Sequence, residues 1–187
     1  MGQETMEQKG KERPFTVVLT GPESTGKTTL AKDLAGRLGG AWVPEYAREY
    51  VKALDRPYTY EDVLHIYEHQ LRLPEDPRWR EAPFLFLDTD LVILKIWFLE
   101  VFGKMPEEMD RIIRNRKIDL YLLCRTDIPW VFDPLRENPG RRREELFVLY
   151  ERELQAAGLP YRIVGGEDEE RLEQALTAVR DYYKKDE

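Results

Sequence analysis

GPESTGKT, Gly21 to Thr28, decides the fold, because it fills every fixed position of the phosphate-binding pattern G-x-x-x-x-G-K-[ST]. Directly before it, the run FTVVLT (residues 15–20) is apolar, β-branched and of strand length. Directly after it, apolar residues recur at helical spacing from Leu30 to Leu38. The motif therefore lies between a predicted strand and a predicted helix, where phosphate-binding loops (P-loops) occur.

Each position of this loop has a physical role in binding a nucleoside triphosphate. Gly21 and Gly26 let the backbone turn tightly with its N–H groups facing inward, and the following helix contributes its positive N-terminal end. Lys27 is predicted to reach the β- and γ-phosphates, and Thr28 to offer its hydroxyl to Mg²⁺. The predicted cofactors are thus ATP and Mg²⁺. Four further loop residues complete the predicted nucleotide-binding set: Glu23, Ser24, Thr25 and Thr29.

Composition indicates a small catalyst in a reducing compartment. The 187 residues suffice for one α/β domain with a full core. The formal net charge of −7 disfavours nucleic acid as a partner, since that partner needs a basic face. No apolar run approaches membrane-spanning length, and the single cysteine, Cys124, excludes an internal disulfide. We therefore expect a cytoplasmic protein that does not bind a membrane, and leave its oligomeric state open.

Strand and helix patterns alternate along the whole chain, which predicts the P-loop α/β fold: a doubly wound, mostly parallel five-stranded sheet with helices on both faces. Residues 1–13 are predicted to be a disordered polar tail and residues 14–187 a single kinase domain. The predicted strands are 15–20, 41–44, 84–88, 120–124 and 161–164. The predicted helices are 27–38, 46–54, 60–73, 91–102, 107–116, 143–157 and 169–183.

Acidic residues follow two of the predicted strands, at the sheet edge where such folds bind ligands. Asp88 ends the apolar run FLFLD, as in strands that help to place Mg²⁺, and is predicted to bind metal or substrate. Asp90 is either a second site acid or only the cap of the following helix. Glu45 follows the second strand and could accept the proton of an acceptor hydroxyl; the alternative is an acid favoured by a helix N-terminus.

The segment from Asp127 to Arg143, DIPWVFDPLRENPGRRR, differs in composition from its surroundings. It combines prolines, a glycine and several arginines just before a helix, which is typical of a mobile lid whose guanidinium groups cover the phosphates. Arg136 and Arg141 are the predicted lid cations, and a solvated basic loop is the alternative. Trp130 is either a packing anchor for the lid or a stacking surface for a flat ring.

Four blocks together resemble a known family: GPESTGKTTLA, PEYAREYV, DTDLVILKIW and DIPWVFDPLRENP. They are similar to the P-loop family that contains the ribosylnicotinamide kinase domain of the bifunctional NadR proteins and their stand-alone relatives. The resemblance spans about residues 15–178. It implies ATP-dependent phosphorylation of the ribose 5′-hydroxyl of nicotinamide riboside, which gives nicotinamide mononucleotide. One departure is Pro44, where the family tends to have an aromatic residue directly before the Glu-Tyr pair; Trp42 lies two positions earlier.

The resemblance also implies roles for individual residues. Lys27 and Thr28 would hold the phosphates and Mg²⁺, Asp88 the metal or the reacting hydroxyl, and Glu45 the substrate ribose or its proton. Arg136 and Arg141 would close the lid. The catalytic set is thus Lys27, Glu45, Asp88 and Arg136. The residues that would shape the acceptor pocket, besides Glu45 and Asp88, are Tyr46, Arg48, Asp90, Trp130 and Asp133.

Two other functions stay open at this point. One is a kinase for another nucleoside or nucleotide, because the residues of the acceptor pocket are the hardest to identify from the sequence. The other is an ATP-binding switch that transfers phosphate only to water. On the helix predicted from residue 60, His65 and His69 are interpreted as a helix face, and Gln70 is a candidate polar contact to the acceptor.

Overall fold

The structure is a computed structural model that describes residues 13–185; the predicted polar tail, except Arg13, lies outside the described residues. Five strands form one parallel sheet in the order β2-β3-β1-β4-β5, which confirms the predicted doubly wound sheet. The strands are β1 Phe15–Thr20, β2 Ala41–Val43, β3 Phe84–Asp88, β4 Leu120–Cys124 and β5 Tyr161–Val164.

Within residues 13–185, seven α-helices connect and cover these strands. A π-helical turn, Phe98–Phe102, continues α4, and two short 3-10 turns, Leu73–Glu75 and Pro77–Trp79, follow α3. The α-helices are α1 Lys27–Leu38, α2 Tyr46–Lys52, α3 Tyr60–Arg72, α4 Leu91–Trp97, α5 Met109–Asn115, α6 Arg141–Ala156 and α7 Asp168–Lys185. Among these described helices, none is both long and apolar enough to cross a bilayer.

The sheet has an apolar core on each face, because side chains of a strand alternate between its two sides. On β3, Phe84 and Phe86 pack toward α1 and α7, whereas Leu85 and Leu87 pack toward the helices of the opposite face. Strand β4 alternates in the same way: Leu122 and Cys124 belong to the α1/α7 face, and Tyr121 and Leu123 to the other. All five side chains of β3 are buried, which explains why its sequence is apolar up to Asp88.

The predicted boundaries were wrong at several helix ends and at one strand end. Strand β2 stops at Val43 rather than Pro44, since proline cannot donate to the ladder. Helix α3 stops before Pro74, which lies in the first 3-10 turn. Helix α6 begins at Arg141, two residues earlier than predicted, directly after Gly140. The irregular lid segment therefore ends at residue 140, and Arg141 to Arg143 belong to a helix.

Candidate active site

The phosphate-binding loop joins β1 to α1 and packs against the end of β4. Gly21 has φ +123°, and a Cβ there would lie 2.9 Å from the carbonyl oxygen of Cys124, so no other residue fits without a shift. Gly26 has φ +75° and directly precedes α1. The Thr25 hydroxyl donates to the Pro22 carbonyl at 2.8 Å and stabilises the turn from inside. Thr29 is exposed on the first turn of α1.

Lys27, Thr28 and Asp88 come together at the mouth of this loop. The Lys27 ammonium donates to the carbonyl oxygens of Gly21 and Pro22 at 2.9 and 2.6 Å. The Thr28 hydroxyl donates to Asp88 Oδ2 at 2.5 Å, across from the end of β3. The other carboxylate oxygen of Asp88, Oδ1, is buried and has no hydrogen-bond partner among the described residues. A buried carboxylate oxygen without a partner suits a cation, so these residues fit Mg²⁺.

Glu45, half-buried at the start of α2, is the second carboxylate of the site. Burial is the largest influence on it and raises its pKa; the positive charge of Lys27 opposes this, and the negative charge of Asp88 adds to it. The charges of Arg48 and Arg136 also act on Glu45 and lower its pKa. Burial likewise raises the pKa of Asp88, against the Thr28 hydrogen bond and the charge of Lys27. Two acids with raised pKa thus share one cationic site, as groups that hold or move a proton do.

The lid, residues 127–140, is bonded to the phosphate-binding loop through Glu23 and Ser24. The Glu23 carboxylate accepts hydrogen bonds from the backbone N–H groups of Glu137 and Asn138 at 3.1 and 2.6 Å. It also accepts one from Trp130 Nε1 at 3.3 Å. The Ser24 hydroxyl accepts bonds from the Val131 backbone N–H and from Arg136. The predicted nucleotide-binding side chains Glu23 and Ser24 therefore contact the lid, and a carboxylate would in any case repel phosphates.

Trp130 and Asp133 anchor the lid rather than standing free. Besides its bond to Glu23, the Trp130 ring meets Phe132 edge-on with ring centroids 6.2 Å apart. The Asp133 carboxylate forms an ion pair with Arg48 of α2. The backbone hydrogen bond from Leu135 is the largest influence that lowers the pKa of Asp133, and the pair with Arg48 lowers it further. The lid is thus bonded both to the phosphate-binding loop and to α2.

Two predicted site residues, Arg141 and Tyr46, make their contacts outside this cluster, and so does Trp42. The Arg141 side chain is 90% exposed and pairs with Glu145 on its own helix, so it is not a lid cation in this structure. Tyr46 stacks on His69 with ring centroids 3.6 Å apart, and its hydroxyl lies 3.2 Å from His65 Nε2. Trp42 packs on the α1/α7 face under Lys32, away from Tyr46. It therefore cannot replace the aromatic residue that the family tends to have where this chain has Pro44.

Asp90 is the N-cap of α4, the structural alternative that its position allowed. Its Oδ1 accepts from the Val92 backbone N–H at 3.0 Å, and its Oδ2 accepts from the Tyr121 hydroxyl at 2.8 Å. The side chain is 1% exposed, and burial raises its pKa. A contact between Asp90 and an acceptor stays a prediction, whereas the cap is present.

Two buried arginines belong to the site: Arg143 lies in the arginine-rich segment from which the lid cations were predicted, whereas Arg171 was missed. Arg171, 4% exposed on α7, donates to the Thr25 and Gly166 carbonyls and pairs with Asp127, so it joins the phosphate-binding loop to the ends of β4 and β5. Arg143 on α6 donates to the Thr126 and Ile128 carbonyls at 2.7 and 2.6 Å and holds the start of the lid. In the sequence, Arg171 looks like a surface charge near the start of a helical pattern.

The Glu23 contacts lead to the first prediction. Glu23→Ala removes three hydrogen bonds between loop and lid, which are together worth about 1–2 kcal/mol, so the lid should open about 5- to 30-fold more often. Limited trypsin digestion should then cleave the variant faster after Arg136. Glu173→Ala, which removes an exposed acid of α7, is the matched control and should be cleaved like the unchanged protein. Equal cleavage rates in Glu23→Ala and Glu173→Ala would show that Glu23 does not hold the lid.

Comparison with known proteins agrees with this geometry. A family model described as "AAA domain" matches residues 16–171. The trifunctional NAD biosynthesis/regulator proteins NadR of Salmonella typhimurium and Escherichia coli are 28% identical over 131 residues. That match covers 66% of this chain and 32% of each relative, so the chain spans about a third of the curated relatives' length.

Solved structures give the same result. NadR in complex with NR superposes with a TM-score of 0.69 at 26% identity, over 90% of this chain and 51% of that one. A NadR structure with NAD and AMP-PNP has the same TM-score and identity and is covered over 49% of its length. A deoxyadenosine kinase from M. mycoides with bound dATP, 13% identical with a TM-score of 0.56, is covered over 99% of its length and shares the fold. The chain therefore belongs to the AAA domain family and is a NadR-like P-loop protein.

Proposed function

We propose that the protein is an ATP-dependent kinase of a small nucleoside, and that the acceptor is the ribose 5′-hydroxyl of nicotinamide riboside. The observation that carries the proposal is the grouping of Lys27, Thr28 and Asp88 at the loop, with Glu45 beside them and an arginine lid above. NadR relatives, one of them solved with NR, support this acceptor. We further propose that residues 14–187 form a single kinase domain, since all five strands share one sheet.

The chain's own residues can perform each part of the transfer. Lys27, which now bonds loop carbonyls, would turn to the β- and γ-phosphates and neutralise their charge. Thr28 and Asp88 would hold Mg²⁺, which supplies charge neutralisation between the phosphates when it is bound. Arg136, attached to the loop through Ser24, would add a cation from the lid.

One of the two carboxylates would take the proton of the acceptor hydroxyl. Because burial raises the pKa of Glu45, this carboxylate holds a proton more firmly than an exposed glutamate, which makes it a stronger base for the hydroxyl. Asp88 already accepts a hydrogen bond from the Thr28 hydroxyl and suits the metal better than Glu45 does. We therefore assign the base to Glu45 and the metal to Asp88.

An ATP-binding switch is the competing function from another class. A switch that releases phosphate to water needs neither an acceptor-side carboxylate nor a lid that excludes water. Here the lid is bonded to the loop by Glu23 and Ser24 and to α2 by the Arg48–Asp133 pair. This closure favours transfer to a bound acceptor.

The choice of acceptor gives the second prediction. The pyridinium of nicotinamide riboside is cationic, and the carboxylates of Glu45 and Asp88 supply negative charge beside the loop, with the Trp130 ring of the lid as the aromatic face. A cation over an aromatic ring is worth about 0.5–2 kcal/mol, so kcat/KM should exceed that for an uncharged analogue of the same shape roughly three- to thirtyfold. The measurement compares nicotinamide riboside with its reduced, uncharged form, with identification of the phosphorylated product.

Uridine and cytidine serve as further comparisons, because both are neutral nucleosides. If the reduced form or a pyrimidine nucleoside is phosphorylated as well as nicotinamide riboside, the acceptor assignment is wrong and only the general kinase function survives. ATP consumption without any phosphorylated nucleoside in the whole panel would favour the switch.

A further inference from the structure

Thr89, between the two acids of the DTD sequence, has an unusual backbone. Its φ is +77°, which is a left-handed conformation that β-branched residues rarely adopt. Such a conformation is strained and persists only where neighbouring groups hold it, often at functional sites. Thr89 is buried, its N–H donates to the Leu19 carbonyl at 3.1 Å, and its own carbonyl accepts from Gln70 Nε2 at 3.0 Å.

The left-handed turn at Thr89 separates Asp88 from Asp90. In an extended chain residues 88 and 90 would share the face on which Phe84 and Phe86 pack, that of α1 and α7. Asp88 does face that side and accepts the Thr28 hydroxyl. Asp90 instead reaches Tyr121, whose ring packs in the core of the opposite face. The reversal at Thr89 thus lets one acid serve the phosphate-binding loop and the other cap α4.

Gln70 is the side chain that holds this turn from outside the DTD sequence. It is 3% exposed on α3, and its amide donates to the Thr89 carbonyl. Arg116 fixes that part of α3 by donating to the Gln70 backbone carbonyl at 3.0 Å, and its guanidinium lies 3.9 Å from Asp90. Gln70 does not stand free for an acceptor, as its sequence position suggested, but is buried against the backbone between two acids.

We propose that Gln70 is a positioning residue that sets the carboxylate of Asp88 for the metal by holding Thr89 in its left-handed conformation. The proposal rests on the proposed function, since it takes Asp88 as a metal-binding residue. Without the Gln70 amide, the strained Thr89 can relax toward negative φ. That rotation would carry the adjacent Asp88 away from Thr28.

The test measures how strongly Mg²⁺ improves the affinity for AMP-PNP, by calorimetry with and without the metal. A small misplacement of a reacting group can cost up to about a hundredfold, so we expect Gln70→Leu to reduce the Mg²⁺ effect about tenfold and to leave metal-free affinity unchanged. Gln155→Leu is the matched control, because Gln155 is also a helical glutamine that donates one side-chain hydrogen bond, to Tyr161. It should keep the full Mg²⁺ effect.

The double variant Gln70→Leu with Thr89→Gly separates positioning from a general loss of packing. Glycine adopts positive φ without strain, so the turn no longer needs the Gln70 amide. We expect Thr89→Gly alone to keep the Mg²⁺ effect, and the double variant to recover most of what Gln70→Leu loses. A merely structural Gln70 would instead give additive losses.

Each outcome decides one question. If Gln70→Leu keeps the full Mg²⁺ effect, or if glycine at position 89 does not rescue it, the positioning role is wrong. Should Gln70→Leu fail to fold, the similarly shaped Gln70→Met replaces it, since a thioether cannot donate to the Thr89 carbonyl, and the same rescue is required. If the unchanged protein itself shows no Mg²⁺-dependent binding of AMP-PNP, the proposed function falls.

Discussion

Lys27→Ala is expected to abolish phosphoryl transfer while the fold stays intact. The ammonium is the charge of the loop that reaches the phosphates, and loss of one such stabilising group lowers turnover at least about a hundredfold. Among the described residues it bonds only to the Gly21 and Pro22 carbonyls, and it belongs to neither apolar core. The free energy of unfolding should therefore change by no more than about 1 kcal/mol.

The measurement pairs steady-state ATP turnover with thermal unfolding. Lys52→Ala is the matched control, because Lys52 is an exposed lysine at the end of α2 and its loss should leave turnover unchanged. Turnover of Lys27→Ala near that of the control would remove the catalytic role of this loop. A collapse of thermal stability in Lys27→Ala alone would show that the residue is mainly structural.

Asp88→Asn is expected to impair Mg²⁺-dependent catalysis far more than nucleotide binding without metal. The change keeps the size of a side chain that is 2% exposed but removes the charge that would hold the cation. Turnover with Mg²⁺ should fall at least about a hundredfold, since a bound metal stabilises the charge that develops in the transition state by several kcal/mol. Metal-free affinity for AMP-PNP should stay the same or rise, because the carboxylate repels phosphates.

The pH dependence of metal binding provides a second readout for the same variant. Burial raises the pKa of Asp88, and a metal ligand must be deprotonated, so Mg²⁺ affinity should fall as pH is lowered, from a higher pH than for an ordinary aspartate. Asp88→Asn should lack this dependence. Asp33→Asn, an exposed acid on α1, is the control. Equal losses with and without Mg²⁺ in Asp88→Asn would indicate a structural role.

Most of the fold could be predicted because its determinants are local. Three of these determinants are adjacent in the sequence: the apolar strand, the Gly21 to Thr28 motif directly after it and the periodic helix directly after the motif. Four of the five strands have their predicted bounds. Three of these, β1, β3 and β4, are buried on both faces, and such a strand is a short apolar run ended by polar residues. Helix ends were harder to predict. Helix α6 begins earlier than predicted, at Arg141, because its first turn is charged and has no apolar residues at helical spacing.

The site was only partly predictable from sequence. The rule that ligands bind at the carboxyl ends of parallel strands selected Glu45 and Asp88, and both lie beside Lys27 in the structure. The same rule could not separate Asp88 from Asp90, because both follow the same strand. The loop motif placed Glu23 in the predicted nucleotide-binding set, whereas its carboxylate contacts the lid, because position in the motif does not fix which way a side chain turns.

The sequence by itself determined the kind of protein: a phosphate-binding loop on a parallel sheet, with acids at its edge and a basic lid. Only the tertiary structure decided which groups meet: Glu23 with the lid, Arg171 with the loop backbone, and Gln70 with Thr89. The physical reason is how far apart in the sequence the residues lie that must be read together. Strand and helix patterns repeat every two to four residues, whereas these contacts join segments far apart in the chain, and a buried polar group finds its partner only after the core has formed.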